Sequence, residues 1–472
     1  MVFSSLIFLY AFLPVCLILY ACAPGIRSKN IILLILSLVF YAWGEPVWVS
    51  LLFAISIVNY CGGLMIGKYH GRWQAKTALI TTLVFNLGLL GAFKYLNFFL
   101  DNLGLLWHHT FMLSPIALPI GLSFYVFQAL SYNIDLYRDQ TQVQTSFVKF
   151  FLFISLFPQL VAGPILRYSD IAPQLSQRQS TWPRISYGLA RFLCGLGKKV
   201  LLANFAGQTA STLLNGQLES LGAAGAWLGL LMFAFQIYFD FSGYSDMAIG
   251  LGRIFGFTYK ENFLFPYTAK SITDFWRTWH ISLGAFFRDY VYIPLGGNRR
   301  FQMRNILIVW FLTGLWHGAS WNFILWGLYF GCILVLEKYF LLKILRVIPR
   351  IFSWLYAFVL ILFGWVFFYF TDLAHIGAMF QALFGLNGAP LYDFSITTLY
   401  LNNLPLCVIC ICACTPLPKY LARRIVSLNA LNAYPDSVLS GLSMLIYNLV
   451  VLGLSTIALV GASYNPFLYF RF

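Results

Sequence analysis

The chain has 472 residues, of which 60% are hydrophobic and only 10% are charged, and its formal net charge is +15. Soluble globular domains carry roughly 25% charged residues, so this composition excludes a soluble fold and predicts an all-α polytopic membrane protein in a lipid bilayer. The basic residues are dispersed among apolar runs, which argues against nucleic-acid binding and indicates cytoplasmic basic loops.

Apolar runs begin at the first residues and recur along the chain, leaving room for about ten to twelve crossings of ~20 residues each. The first run has no basic residue before it, so we expect an uncleaved helix whose N-terminus lies outside the cytoplasm. The predicted spans of the first third are Val2–Ala21, Ile31–Trp43, Val47–Ile66, Thr77–Leu100 and Leu118–Ile134.

The next stretches are less regular. Val148–Ala162 is apolar but short and contains Pro158, so it predicts a partial or re-entrant helix. The following span, Ile185–Phe205, carries Lys198 and Lys199, which we expect to extend toward the membrane interface.

A further span, Ala223–Phe239, is followed by Asp240 and Asp246. These carboxylates are expected to pair with central arginines and brace the cytoplasmic mouth of the protein. Residues 240–304 are interpreted as a basic and aromatic centre on the cytoplasmic side.

Within this centre, the periodicity of Thr273–Tyr290 predicts one amphipathic helix. At helical spacing its polar stripe contains Arg277, His280, Gly284 and Arg288. The two arginines should lower the pKa of the histidine and hold it neutral. The alternative is an ordinary interfacial histidine.

Residues 305–340 form the next unit, predicted as a tight hairpin of Ile306–Trp316 and Trp321–Leu336 around His317. An ionisable group inside a span is costly, so His317 is a candidate functional residue. A neutral imidazole in such a place suits general-base catalysis, and Gly314 and Gly318 would let a substrate approach. The alternative is a structural histidine that bonds across helices.

The remaining predicted spans are Phe352–Phe370, Leu399–Cys414 and Val438–Leu459. The run CVICICAC contains four cysteines but no neighbouring histidine or carboxylate. It is interpreted as part of a membrane helix, and no metal site is predicted.

Arginines in the basic centre could bind an anionic donor, since guanidinium groups pair with phosphates. The candidates are Arg277, Arg288, Arg299 and Arg300. Simple positive-inside topology explains the same residues without a ligand.

Three stretches of this chain together resemble the membrane-bound O-acyltransferase family, and within it the branch that acetylates alginate. They are QIYFDFSGYSDMAIGLGRIFGF from Gln236, NFLFPYTAKSITDFWRTWHISLGAFFRDYVYIPLGGNR from Asn262 and FLTGLWHGASWNFILWGLYFG from Phe311. The pattern extends over Gly121–Tyr339 and includes the closing NPFLYFRF.

The resemblance implies a single domain, residues 1–472, built as a helical funnel of eleven to twelve transmembrane helices with re-entrant and interfacial helices. It implies His317 as the catalytic histidine and His280 as its second histidine. It implies no bound cofactor, because the donor substrate is an acetyl thioester of coenzyme A or of a carrier protein. Thr278, Gly284 and Phe286 depart from the commonest family pattern, which leaves the donor and acceptor preference open.

The family further implies an enzyme of the bacterial inner membrane. Following the spans by the positive-inside rule predicts that both termini lie on the periplasmic side. The acetyl group would pass through periplasmic acetyltransferase partners to an exported polysaccharide. The tail, residues 463–472, resembles the partner peptide of teichoic acid D-alanylation systems, so Tyr469 is a candidate acyl relay or, alternatively, an interfacial anchor.

Two other functions stay open. One is the same chemistry on teichoic acid, peptidoglycan or cellulose. The other is a transporter, since polar groups and broken helices at mid-membrane also mark transport sites. No internal repeat supports the transporter.

Overall fold

The computed structural model describes residues 1–108, 117–161, 163–391, 394–418, 420–421, 438–461 and 464–468, and every regular element in these ranges is helical. Six of these helices are long and apolar enough to cross a membrane: Val49–Lys68, Trp73–Trp107, Ala223–Ile254, Arg350–Tyr369, Phe394–Ala413 and Gly441–Gly461. Other predicted spans form helices of 16 or 17 residues. The all-α polytopic membrane fold is confirmed.

The chain divides into two compact units, of which the first comprises Met1–Phe192 and Met247–Lys260. Its helices before Trp182 are Leu13–Cys22, Ile26–Ala42, Val49–Lys68, Trp73–Leu90, Leu96–Trp107, Leu122–Tyr137, Phe147–Ser155, Phe157–Leu160 and Tyr168–Ser176. Aromatic rings fill part of its core. The Phe157 ring lies 5.4 Å from that of Phe40 and 5.6 Å from that of Phe12.

Three buried asparagines join helices within the first unit. The Asn59 and Asn86 side chains exchange hydrogen bonds of 3.1 and 2.9 Å, and Asn133 Nδ2 donates to Asn59 Oδ1 at 2.8 Å. Hydrogen bonds between polar side chains of different helices commonly stabilise helix association in membranes, where the hydrophobic effect contributes little.

The partial helix predicted over Val148–Ala162 is confirmed, and the structure divides this stretch into two helices. Phe147–Ser155 and Phe157–Leu160 are separate helices, and Leu156 between them has ψ 111. The N–H of Phe157, which the break frees, donates to the buried Ser37 hydroxyl at 3.1 Å.

The second unit comprises Leu193–Asp246 and Glu261–Phe472. The helices that begin in it are Asn204–Leu214, Ala223–Ile254, Ile272–Thr278, Ile281–Phe287, Gln302–His317, Trp321–Leu336, Leu342–Val347, Arg350–Tyr369, Leu373–Leu383, Phe394–Ala413 and Val438–Gly461.

The predicted end of a span at Phe239 is wrong, because that helix continues to Ile254 with Asp240 and Asp246 buried in it. The cysteines of CVICICAC up to Cys412 lie on Phe394–Ala413, as predicted.

The two helices Gln302–His317 and Trp321–Leu336, here called the His317 hairpin, form the predicted hairpin. Glycines bring their backbones into contact. A Cβ on Gly327 would lie 2.3 Å from the Trp310 carbonyl oxygen, and one on Gly314 would lie 2.4 Å from the Phe323 carbonyl oxygen. Gly314 therefore packs the helices together, which corrects its predicted role in substrate access.

Candidate active site

A small cavity of the second unit lies beside His317. Its volume is about 20 Å³, enough for one water-sized group. The lining is aromatic and aliphatic apart from one carboxylate and one imidazole, and comprises Ile237, Asp240, Phe241, Trp279, His317, Trp326, Trp365, Phe368 and Leu468.

The His317 ring is held by aromatic neighbours. It is the last residue of its helix and is 7% exposed. Its ring centroid lies 4.8 Å from that of Trp326 and 5.2 Å from that of Phe368, both edge-on. Such edge-to-face contacts fix ring orientation. Gly318, predicted to admit substrate, instead leaves room for the Phe323 ring, which a Cβ there would approach to 2.3 Å.

The single amphipathic helix predicted over Thr273–Tyr290 is wrong. The structure has two short helices, Ile272–Thr278 and Ile281–Phe287, and His280 between them adopts a left-handed conformation with φ 44. The predicted polar stripe is therefore interrupted at its histidine, and a π-helical turn follows from Arg288.

Asn262 stabilises this break. Its side-chain Oδ1 accepts hydrogen bonds from the Ser282 N–H and hydroxyl at 3.0 and 2.9 Å, and its carbonyl accepts the Ile281 N–H at 3.0 Å. The same Oδ1 lies 3.3 Å from His280 Nδ1. The fully buried Asn262 thus caps the second helix and orients the histidine.

His280 lies behind the cavity rather than in its lining. Its ring is 4.6 Å from that of Phe241, which lines the cavity, and 5.8 Å from that of Trp316, the neighbour of His317. Burial lowers the pKa of the His280 imidazole to about 3, so the ring is neutral at physiological pH. The predicted neutrality holds, but the cause is burial and not the two arginines.

A buried carboxylate ties the His317 hairpin to the first of the two short helices. Glu337, directly after the hairpin, is fully buried and accepts the backbone N–H groups of Ile272 and Thr273 at 2.6 and 2.7 Å. It also accepts the Thr273 hydroxyl at 2.6 Å. A negative charge at a helix N-terminus is stabilising, so Glu337 fixes the start of Ile272–Thr278 relative to the hairpin.

The four predicted donor-binding arginines are exposed. They are Arg277, Arg288, Arg299 and Arg300, and the Arg288 guanidinium pairs with the Asp289 carboxylate at 2.7 Å. The cavity beside His317 is lined by other residues. The structure therefore leaves these side chains accessible to an anion but does not bring them to the histidine.

The two acidic residues of the helix Ala223–Ile254 each pair with a lysine, a partner that the sequence did not predict. Lys199 Nζ lies 2.7 Å from Asp240 Oδ1, and Lys198 Nζ lies 2.7 Å from Asp246 Oδ2. Lys199 and Asp240 are 3% and 2% exposed, so the predicted extension of Lys199 to the interface is wrong. Each buried charge makes the other tolerable, because an isolated ion in an apolar environment is costly.

Residues Tyr464–Leu468, here called the C-terminal segment, pack inside the second unit. The Leu468 N–H donates to Asp240 Oδ2 at 2.9 Å, and Lys199 Nζ donates to the Pro466 carbonyl. Leu468 then lines the cavity beside His317. Tyr469, the candidate relay, lies outside the described residues.

Sequence reasoning missed Lys199, Asp240, Glu337 and Asn262 as residues that build the site. The signal for the first three is the same as for His317, namely an ionisable side chain within an apolar run. Opposite charges in two separate runs predict a buried ion pair, although they do not say which lysine meets which carboxylate.

The sequence matches the family model described as MBOAT, membrane-bound O-acyltransferase family, over residues 68–380. It is 39% identical to the probable alginate O-acetylase AlgI of Azotobacter vinelandii over all of both chains. It is 42% identical to the same-named protein of Pseudomonas aeruginosa, over 86% of this chain and 81% of that one. A peptidoglycan O-acetyltransferase of Helicobacter pylori is 36% identical over 84% of this chain and 82% of its own.

These matches confirm the resemblance carried by the three motif stretches, and they extend it to the entire chain. The family model includes both histidines and the His317 hairpin within its matched residues. The chain belongs to the membrane-bound O-acyltransferase family and is an O-acyltransferase of the lipid bilayer.

Proposed function

We propose that the protein transfers an acetyl group from a cytoplasmic thioester for the O-acetylation of an exported polysaccharide, most specifically alginate. The observation that carries this proposal is His317, an imidazole fixed by aromatic rings beside a small, mostly apolar cavity. The identity to alginate O-acetylases over the full chain supports the choice of polymer.

His317 is the general base in the proposed reaction. The oxygen of an acceptor hydroxyl forms a bond to the thioester carbonyl carbon while His317 takes the hydroxyl proton. The carbon–sulfur bond breaks, and the proton passes from the imidazole to the leaving sulfur. His280 is neutral and lies outside the cavity lining. Its ring contacts Phe241 and Trp316 and so positions the cavity wall.

The donor approaches the exposed arginines from the cytoplasm. Arg277, Arg288, Arg299 and Arg300 are accessible. Guanidinium groups bind the phosphates of coenzyme A or phosphopantetheine bidentately. Supplying acetyl-coenzyme A or an acetylated carrier protein to inverted membrane vesicles distinguishes the two donors.

The proposed location is the bacterial inner membrane, with both termini in the periplasm and the basic loops in the cytoplasm. The donor then meets the protein on one side, and the acetyl group leaves on the other. Periplasmic acetyltransferase partners place it on the hydroxyl groups of the polysaccharide.

Deleting the gene from its bacterium tests this function. We expect the acetyl ester content of exported alginate to fall to background and to return with a plasmid copy. Acetyl loss from peptidoglycan, with alginate unchanged, would redirect the acceptor to the polymer of the Helicobacter pylori relative. Unchanged acetylation of every exported polymer would refute the proposal.

Tyr469 is proposed as an acyl relay on the tail. Its phenol oxygen would attack the thioester carbonyl while His317 takes the phenol proton. The carbon–sulfur bond then breaks, the thiol leaves with that proton, and the tyrosine carries the acetyl ester to the next acceptor. We expect Tyr469→Phe to reduce polysaccharide acetylation to background, since the ring remains and the nucleophile is lost. A peptide containing Tyr469 should carry one additional acetyl group in wild-type protein supplied with donor.

Tyr464→Phe is the matched control, because its hydroxyl lies 3.2 Å from Gln236 Nε2 and from Ser211 Oγ and has a packing role. That variant should acetylate more polysaccharide than Tyr469→Phe. Undiminished acetylation by Tyr469→Phe would assign the tyrosine to anchoring in the membrane interface instead.

A further inference from the structure

Two polar groups of the C-terminal segment meet the two members of one buried ion pair. The Pro466 carbonyl accepts from the Lys199 ammonium, and the Leu468 N–H donates to the Asp240 carboxylate. The cation thus faces a carbonyl and the anion faces an N–H. This complementarity goes beyond what is required for two charges to neutralise each other.

The contacts between the C-terminal segment and the ion pair are buried and specific. The Lys199 and Asp240 side chains are 3% and 2% exposed and lie 2.7 Å apart, so both are enclosed by protein. Phe467, between the two bonded residues, packs its ring 4.8 Å from that of Tyr244. Hydrogen bonds to ionised groups are roughly twice as strong as neutral ones, so two of them fix the backbone of the segment firmly.

The fixed segment reaches the reactive cavity. Leu468 follows Phe467 directly and lines the cavity together with His317, and Asp240 lines the same cavity. The anion that holds the Leu468 backbone therefore also forms part of the wall that this side chain completes. A shift of the segment would open or reshape the space beside the imidazole.

We propose that the Lys199–Asp240 ion pair positions the C-terminal segment against the His317 cavity and thereby completes the acyl-transfer site. Both are positioning residues, since they act through the segment. This inference rests on the proposed acyl transfer at His317. It adds the requirement that the C-terminal segment be bound against the cavity before acyl transfer can occur.

Reversing the ion pair tests the proposal. Lys199→Asp with Asp240→Lys retains two opposite charges, but it places a carboxylate at the Pro466 carbonyl and an ammonium at the Leu468 N–H. The matched control is Lys198→Asp with Asp246→Lys, which reverses the neighbouring lysine–aspartate pair, also 2.7 Å apart.

The first readout is the position of the segment, independent of activity. Asn465→Cys is placed in every protein, including the reference, and its maleimide labelling rate is read from its own peptide by mass spectrometry. We expect about tenfold faster labelling after reversal of Lys199 and Asp240, and an unchanged rate in the control. Polysaccharide acetylation per membrane protein should fall by about tenfold or more, since small displacements of reacting groups have such effects.

A second pair of variants leaves the ion pair intact, in case its reversal prevents folding. Leu468→Pro removes the N–H that Asp240 accepts, because proline has none. Leu468→Ala retains that N–H and removes most of the side chain. We expect faster labelling at position 465 in Leu468→Pro than in Leu468→Ala.

The outcomes separate this inference from the proposed function. Equal labelling and acetylation in the two charge-reversed proteins would overturn the positioning role, as would equal labelling of the two Leu468 variants. His317→Ala, assayed alongside, addresses the acyl transfer itself. If it retains acetylation, the proposed function fails whatever the segment does.

Discussion

Replacing His317 by alanine is expected to lower polysaccharide acetylation by about 10²- to 10⁴-fold, the usual contribution of a general base. The imidazole is the basic side chain of a cavity whose other lining residues are apolar, apart from Asp240. Asp240 is already bonded to Lys199 and to the Leu468 N–H. No other group among the lining residues of this cavity is placed to take the acceptor proton.

The measurement is the acetyl ester content of exported polysaccharide, divided by the amount of the protein in the membrane. His375→Ala is the matched control, because His375 is exposed and pairs with Asp372 at 3.1 Å on a different helix. This variant should acetylate normally. Retained acetylation in His317→Ala at normal protein levels would make His317 structural, and transport would become the leading alternative.

Replacing Gly327 by valine is expected to destabilise the protein by about 1–3 kcal/mol or more, the usual cost of overpacking. A Cβ at Gly327 would lie 2.3 Å from the Trp310 carbonyl oxygen and 3.2 Å from the Gly314 Cα. Both are backbone atoms, so the His317 hairpin has to separate to admit the side chain. The thermal unfolding temperature of the detergent-solubilised protein measures the effect.

Gly453→Val provides the comparison in a membrane-spanning helix, since among the described residues no atom beyond the local helix backbone lies within 4 Å of a Cβ at Gly453. Its unfolding temperature should stay near that of the wild type, because surface changes typically alter stability by less than about 0.5 kcal/mol. If the two valine variants unfold at the same temperature, glycine contact does not hold the His317 hairpin together.

Composition and periodicity were sufficient for the helical membrane fold and for the His317 hairpin. Apolar runs are long, and glycines or prolines separate them, so Trp321–Leu336 was predicted with the bounds that the structure gives. His317 stood out because an ionisable residue inside such a run is rare. These features are local in sequence and need no knowledge of what packs against them.

Long-range contacts explain what the sequence did not reveal. The periodicity of Thr273–Tyr290 favours one helix, yet Asn262, 20 residues before Ser282, supplies the acceptor that stabilises a break. Likewise, Lys199 is predicted at the membrane interface because the sequence does not show that the buried Asp240 carboxylate is its partner. Asp240 lies in a different apolar run from Lys199. The helical spacing of polar residues within one run does not show which residues of another run they contact.

The bond between Asp240 and Leu468 joins residues 228 positions apart in the chain. Ribosomes deliver residues at roughly 5–20 per second, so about ten seconds or more separate the synthesis of these two partners. In that interval the Lys199 and Asp240 charges can meet, but their two bonds to the segment cannot form. The wall that Leu468 contributes to the cavity beside His317 is thus added at a late stage of biosynthesis, after all of the other lining residues have been synthesised.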